Sequence, residues 1–145
     1  MIDVQFPEPV FRLKKENNTE WIFDDLRRQW LVLTNEEWVR QNFVQYLSKV
    51  LQYPAAFIAI EKEIRLGELR KRFDLLVYNS QHEPWMMIEC KGQGVPLNDG
   101  VLQQALRYNV SVPVSYIAIT NGHQNYCWQK KEGQLVELTL FPEWK

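Results

Sequence analysis

No apolar run in this sequence approaches the roughly 18 residues needed to cross a bilayer, so no membrane partner is expected. The opening stretch, MIDVQFPEPVFRLKK, lacks the basic-then-apolar layout of a secretory signal, and the expected location is cytoplasmic. Cysteine is scarce. Cys90 and Cys127 lie far apart and outside any Cys-x-x-Cys pattern, which excludes a zinc ribbon or a disulfide scaffold and suits a reducing compartment. Histidine is equally sparse: His82 and His123 fall in the turn-like NSQHEP and TNGHQN, with no second ligand at helical or strand spacing, and read as solvated loop residues. An excess of positive charge is also missing. Lys and Arg number 17 against 18 Asp and Glu, a net charge of −1, so there is no general pull toward nucleic acid. The local basic clusters at Arg27-Arg28, Arg70-Lys71-Arg72 and Lys130-Lys131 read as solvated surface. Low-complexity segments, linkers and internal repeats are absent.

What is present is enough for one domain with a real core: 145 residues, 46% hydrophobic and 24% charged. FRLKKENNTEWIF predicts a hairpin over about residues 10–23 around the polar Glu16-Asn17-Asn18, and DDLRRQW after it is ambiguous, one helical turn at most. Thr34 can cap a helix, with Glu37 three residues on completing a capping box, and Val39, Phe43, Tyr46, Leu47 and Val50 follow at helical spacing until Pro54. Glu36 falls near the middle of that apolar stripe, a costly place for an unpaired carboxylate. FIAIEKEIRL, KRFDLLVYN and PWMMIECKG then read as three strands, turning at Gly67 and at Ser80 to Pro84. Asn98-Asp99-Gly100 opens a second helix through about Tyr108, and VSYIAITNG, NYCWQKK and QLVELTL complete the strands. The order predicts a mixed α/β fold around one sheet, with residues 1–33 as a hairpin extension and 34–145 as the core of a single 1–145 domain.

Two features do not fit a plain sheet. The apolar strand Trp85 to Ile88 ends in Glu89-Cys90-Lys91, and the strand before it carries Asp74 in mid-run. Strand side chains alternate, so Glu89 and Lys91 point the same way, about 6.8 Å apart, with Cys90 on the other side as a small packed hydrophobe. Asp74 shares its face with Arg72 and Leu76. If the hairpin register sets Asp74 beside Glu89, two carboxylates converge next to one ammonium, and a divalent cation is the usual reason to tolerate such a pair. Oxygen-only ligation suits Mg²⁺ or Mn²⁺ rather than zinc. Such a site supports phosphodiester hydrolysis, with Lys91 stabilising charge on the phosphorane and Glu36 arriving from the helix.

Asp74, then Glu89-x-Lys91, after a helix that bears a glutamate, resembles the PD-(D/E)XK nuclease superfamily. The wider set is closer still. Thr34-Asn35-Glu36-Glu37-Trp38-Val39-Arg40-Gln41, Arg72-Phe73-Asp74, Ile88-Glu89-Cys90-Lys91 and Gln104-Ala105-Leu106-Arg107-Tyr108 together resemble the N-terminal nuclease domain of type I restriction enzyme R subunits. The resemblance implies a restriction-endonuclease-like α/β fold and a Mg²⁺- or Mn²⁺-dependent endonuclease acting on DNA. It implies metal ligation by Asp74, Glu89 and the backbone carbonyl of Cys90, with Lys91 as the catalytic lysine and Glu36 or Glu37 as the helix glutamate, the stripe favouring Glu36. The Gln-x-x-x-Tyr element falls on Gln104 and Tyr108, one helical turn apart on one face, and with Arg72 these are the implied substrate-binding residues. Two departures stand out: Phe73 replaces an optional proline, and no G-x-x-x-x-G-K-[ST] phosphate loop occurs. The expectation is a nuclease module without a motor, standing alone, as a homodimer, or beside a helicase, methylation or specificity subunit.

Plainer readings compete with this one. The Asp74/Glu89/Lys91 set equally describes a surface ion-pair patch, Glu36 a helix-start charge favoured by the dipole, and Tyr108 a packed aromatic. Trp21, Trp30, Trp38 and Trp85 fit either base stacking or core and interface packing. The alternatives to an endonuclease are a catalytically silent nucleic-acid-binding subunit and a protein-interaction domain.

Overall fold

The structure, a computed structural model, describes residues 1–145 apart from the side chains of Leu66 and Leu69. Two sheets form. A three-stranded meander joins β1 (Leu13–Glu16), β2 (Thr19–Asp24) and β3 (Gln29–Val32), and a six-stranded sheet runs β4 to β9 in chain order. Its strands are β4 (Ile58–Leu66), β5 (Leu69–Tyr78), β6 (Pro84–Cys90), β7 (Tyr116–Thr120), β8 (Asn125–Lys131) and β9 (Gln134–Glu137). Only β6 and β7 pair in parallel, and the crossover between them carries helix α2 (Asp99–Asn109). Helix α1 (Asn35–Gln45) precedes β4.

The expected α/β fold around one sheet is therefore found, with one strand more at the start than the expected hairpin. Residues 25–28, within the stretch that is ambiguous in the sequence, form a tight reversal and no helical turn. The Asp24 carboxylate accepts the backbone N–H groups of Leu26 and Arg27, and Arg28 takes a φ of 57°, which returns the chain as β3.

Apolar residues are buried on both sheet faces, which is why β5 to β7 read as nearly unbroken hydrophobic runs. On one side Leu75, Val77, Met86 and Ile88 meet Val39, Phe43 and Leu47 of α1. On the other, Leu76, Met87, Ile117 and Ile119 meet Leu102 and Leu106 of α2. Both helices are capped by side chains: Thr34 Oγ1 accepts the Glu37 N–H and Asn98 Oδ1 the Val101 N–H. The α1 helix ends in one wider turn over Tyr46–Val50, closed by Leu51 N–H to Tyr46 O at 3.0 Å. The loop after β7 approaches α1 so closely that Gly122, at φ +91°, would bring a Cβ within 3.3 Å of Val39 Cγ2.

Candidate active site

Two turns decide which side chains meet at the centre of the sheet. The two-residue turn at Gly67-Glu68, with Gly67 at φ 63°, fixes the β4–β5 register as Ile60↔Leu75 and Lys62↔Phe73, so Glu61 lies opposite Asp74. Glu61 itself takes a φ of 50° in mid-strand, a conformation rarely adopted there. Between β5 and β6 the register shifts at Val77/Tyr78, because Trp85 is an extra residue on β6. That bulge sets the last pair to Leu75↔Ile88; without it Leu75 would face Met87. Glu61 and Asp74 thus face each other across β4 and β5, and Glu89 lies on the next strand just past the last pair. Beyond Leu75↔Ile88 the strands part, and Asp74 Oδ2 accepts the Cys90 N–H at 2.8 Å.

On the α1 side these carboxylates meet a cluster of charges. Arg40, buried, donates to Asp74 Oδ1 at 3.0 Å and to Glu61 at 3.3 Å, and lies 3.4 Å from Glu36. It also bonds Glu37, whose other oxygen accepts from Gln41 at 3.0 Å. Arg27 reaches in from the meander and donates to Glu61 at 2.9 Å. The carboxylates and burial act in opposite directions on Arg40, and Glu37 and Asp74 win, so its guanidinium is held above its ordinary value.

This corrects the helix reading. Glu37, expected to close a capping box, is the buried glutamate at 6% exposure, and its carboxylate serves Arg40 and Gln41. Glu36, expected in the apolar stripe, has a side chain 49% exposed. It nevertheless faces Asp74. Partial burial and the Asp74 charge push its carboxyl up, while Arg40 and Lys91 pull the other way.

On the α2 side, Glu89, Lys91, Val101, Gln104, Ala105 and Tyr108 enclose a cavity of about 210 Å³. Lys91 Nζ is 3.7 Å from Glu89 Oε1, and Glu89 Oε2 is buried with no hydrogen-bond partner. Tyr108 is 67% exposed rather than packed in a core. Lys71, buried below it, donates to its backbone carbonyl and sits 4.2 Å from its ring centroid. Arg72 is not among the residues lining this cavity; it bonds Glu61 at 2.6 Å. Cys90 is buried, and desolvation pushes its thiol well above the ordinary range, which makes it inert.

The sequence-derived residues thus fall into two groups that meet at the parted ends of β5 and β6. Asp74 and Glu36 lie with Arg40, and Glu89, Lys91, Gln104 and Tyr108 surround the cavity. Arg40, Glu61 and Arg27 went unrecognised in the sequence. The first had a signal, since it stands four residues after Glu36 and three after Glu37 on one helix. The second follows from the two-residue turn at Gly67 once that turn is placed.

A divalent cation fits the donors available. They are oxygens, and the orphaned Glu89 Oε2 is a buried acceptor lacking any partner. Among the described residues no group of three or more His, Cys, Asp and Glu side chains forms a metal cage, so backbone carbonyl and water would complete the coordination, as Mg²⁺ commonly requires. No described helix is long and apolar enough to cross a membrane.

Comparison with known proteins adds one finding. A family model described as the type I restriction enzyme R protein N terminus matches residues 35–142, from the first residue of α1 past the end of β9. No curated protein matches the chain.

Proposed function

Because the chain belongs to the type I restriction enzyme R protein N-terminal family, we propose that it is a metal-dependent deoxyribonuclease module that hydrolyses DNA phosphodiester bonds at the parted ends of β5 and β6. The observation that carries this reading is Glu89: a half-buried carboxylate whose buried Oε2 lacks a partner, one residue past the last β5–β6 pair and 3.7 Å from Lys91. Ions that cost this much to bury are kept where a ligand satisfies them.

Asp74, Glu89 and the Cys90 carbonyl would hold Mg²⁺ or Mn²⁺, which when bound polarises the phosphate and favours an ionised nucleophile. Lys91 presents its ammonium to charge developing on the phosphorane. Glu36, with a carboxyl held above the ordinary range, is suited to take up a proton as the nucleophile attacks. Gln104 and Tyr108 offer an amide and a phenol to the phosphate from α2, across the same cavity. A helicase, methylation or specificity subunit is the proposed partner, by the chain's membership of a restriction-enzyme subunit family.

A second reading has its own observation. Both Asp74 oxygens already have partners, Arg40 and the Cys90 N–H, as in a structural ion pair of a silent accessory domain. The deciding experiment incubates the protein with linear, circular and single-stranded DNA in Mg²⁺, Mn²⁺ or EDTA, beside Lys91→Ala. Cleavage that needs the metal and falls by at least a hundredfold in the variant supports the nuclease. Metal-independent cleavage, or none, favours the accessory domain.

A further inference from the structure

The family match begins at Asn35 and leaves the β1–β3 meander outside it. One face of that sheet is spent on the fold. Ile22 is 0% and Asp24 1% exposed, and Arg27, in the turn that follows Asp24, lies 3.8 Å from Glu37 of α1. The other face points outward and has an unusual composition. Register places Lys14, Trp21 and Val32 in one row. Phe23 and Trp30 form the next, with Arg12 beside them through the Phe23 N–H bond to its carbonyl.

Cations stand over these rings. The Arg12 guanidinium is 3.8 Å from the Phe23 centroid, and the Lys14 ammonium is 4.5 Å from that of Trp30 and 6.0 Å from that of Trp21. Arg28 adds a third cation at 5.9 Å from Phe23. The rings of Phe23 and Trp30 meet edge to face at 5.3 Å, and all three aromatics are only half-buried.

We propose that this face is a stacking platform for single-stranded DNA, the choice of DNA resting on the nuclease reading above. Half-exposed indoles accept unpaired bases, and Arg12, Lys14 and Arg28 supply cations for the phosphates that join them. The carboxylates on the platform do not block this. Glu16 is 3.4 Å from Lys14 and Asp25 3.6 Å from Arg12, but these side chains are about three-fifths exposed, and such pairs yield readily to a phosphate. The platform is also wired to the candidate site: Arg27, next to Arg28, donates to Glu61, which lies opposite Asp74. A duplex, with its base faces covered, has nothing to stack.

Tryptophan emission reads this directly. The full chain in EDTA, where no cleavage occurs, is titrated with a short oligothymidylate and with a duplex of equal length. The expected result is saturable quenching by the single strand, much weaker by the duplex, with a log–log salt slope near −2 for three phosphate contacts at about 0.7 each. Trp30→Ala weakens binding about 5- to 150-fold, and Arg12→Gln with Lys14→Gln makes the slope shallower by about 1.4. Circular dichroism checks that each variant is folded. Absence of quenching, equal response to the duplex, or unchanged affinity in the folded Trp30 and double variants overturns the platform, and would leave the face to a protein partner. Quenching without nuclease activity removes the nuclease reading alone; cleavage without quenching removes the platform alone.

Discussion

Arg40→Met is the substitution the structure penalises most clearly. The guanidinium is the common partner of Glu37, Asp74, Glu61 and Glu36, and it and Glu37 are each less than a tenth exposed. Removing it leaves Glu37 in a buried site with only the Gln41 amide close by, Arg27 being 3.8 Å away. The loss of one partner of a buried ion pair costs about 3–5 kcal/mol, most of it the desolvation of the charge left behind. Glu36 adds little, because half of its side chain is in water and exposed pairs contribute at most about 1 kcal/mol. For a chain of this length the melting temperature should fall by roughly 6–20 °C. Denaturant unfolding of Arg40→Met, Glu37→Gln and the double variant measures the coupling. The double variant should recover much of the loss, since a neutral amide needs no counter-ion, giving a coupling of about 0.5–3 kcal/mol. Stability of Arg40→Met within about 0.5 kcal/mol of the native chain would refute the reasoning, because surface changes behave that way.

Asp24 supplies a pH test: burial opposes its charge, but bonds from Arg27 and Gln41 prevail and hold its carboxyl below the ordinary 3.8. A carboxyl lowered on folding stabilises the protein above its unfolded pKa, so stability should drop as pH falls below about 4, and Asp24→Asn should flatten that acid limb in urea melts. Gly122→Ala forces a Cβ into a left-handed φ and against Val39, and should cost about 1 kcal/mol or more in the same assay. Phe43, fully buried between α1 and the sheet, should cost about 3–5 kcal/mol when cut to alanine.

Much of this was legible in the sequence. Alternation and capping residues place α1, α2 and the strands of the large sheet, because their apolar periods and their Thr34 and Asn98 caps agree with the packing. The third strand was not, since Asp24 makes the local side-chain-to-backbone bonds of a helix start while the chain in fact reverses. The burial expected for Glu36 and the capping-box role expected for Glu37 failed for a different reason. Equal spacing by 100° assigns burial from the helix alone, whereas Arg40, Gln41 and Arg27 close around Glu37 and leave Glu36 half in water. The bulge at Trp85 was equally hidden. It leaves the apolar run PWMMI unbroken, yet it alone sets Leu75, the neighbour of Asp74, against Ile88 rather than Met87.

The central claim is that Asp74 and Glu89 hold a divalent cation, and calorimetric titration of the metal-free chain with Mn²⁺ tests it most directly. The account predicts saturable binding of one ion, weakened at least tenfold in Asp74→Asn and in Glu89→Gln. It also predicts that Glu89→Gln, with the charge on its unpartnered oxygen removed, is at least as stable as the native chain without metal. Absence of binding, or binding that both substitutions leave unchanged, would contradict it.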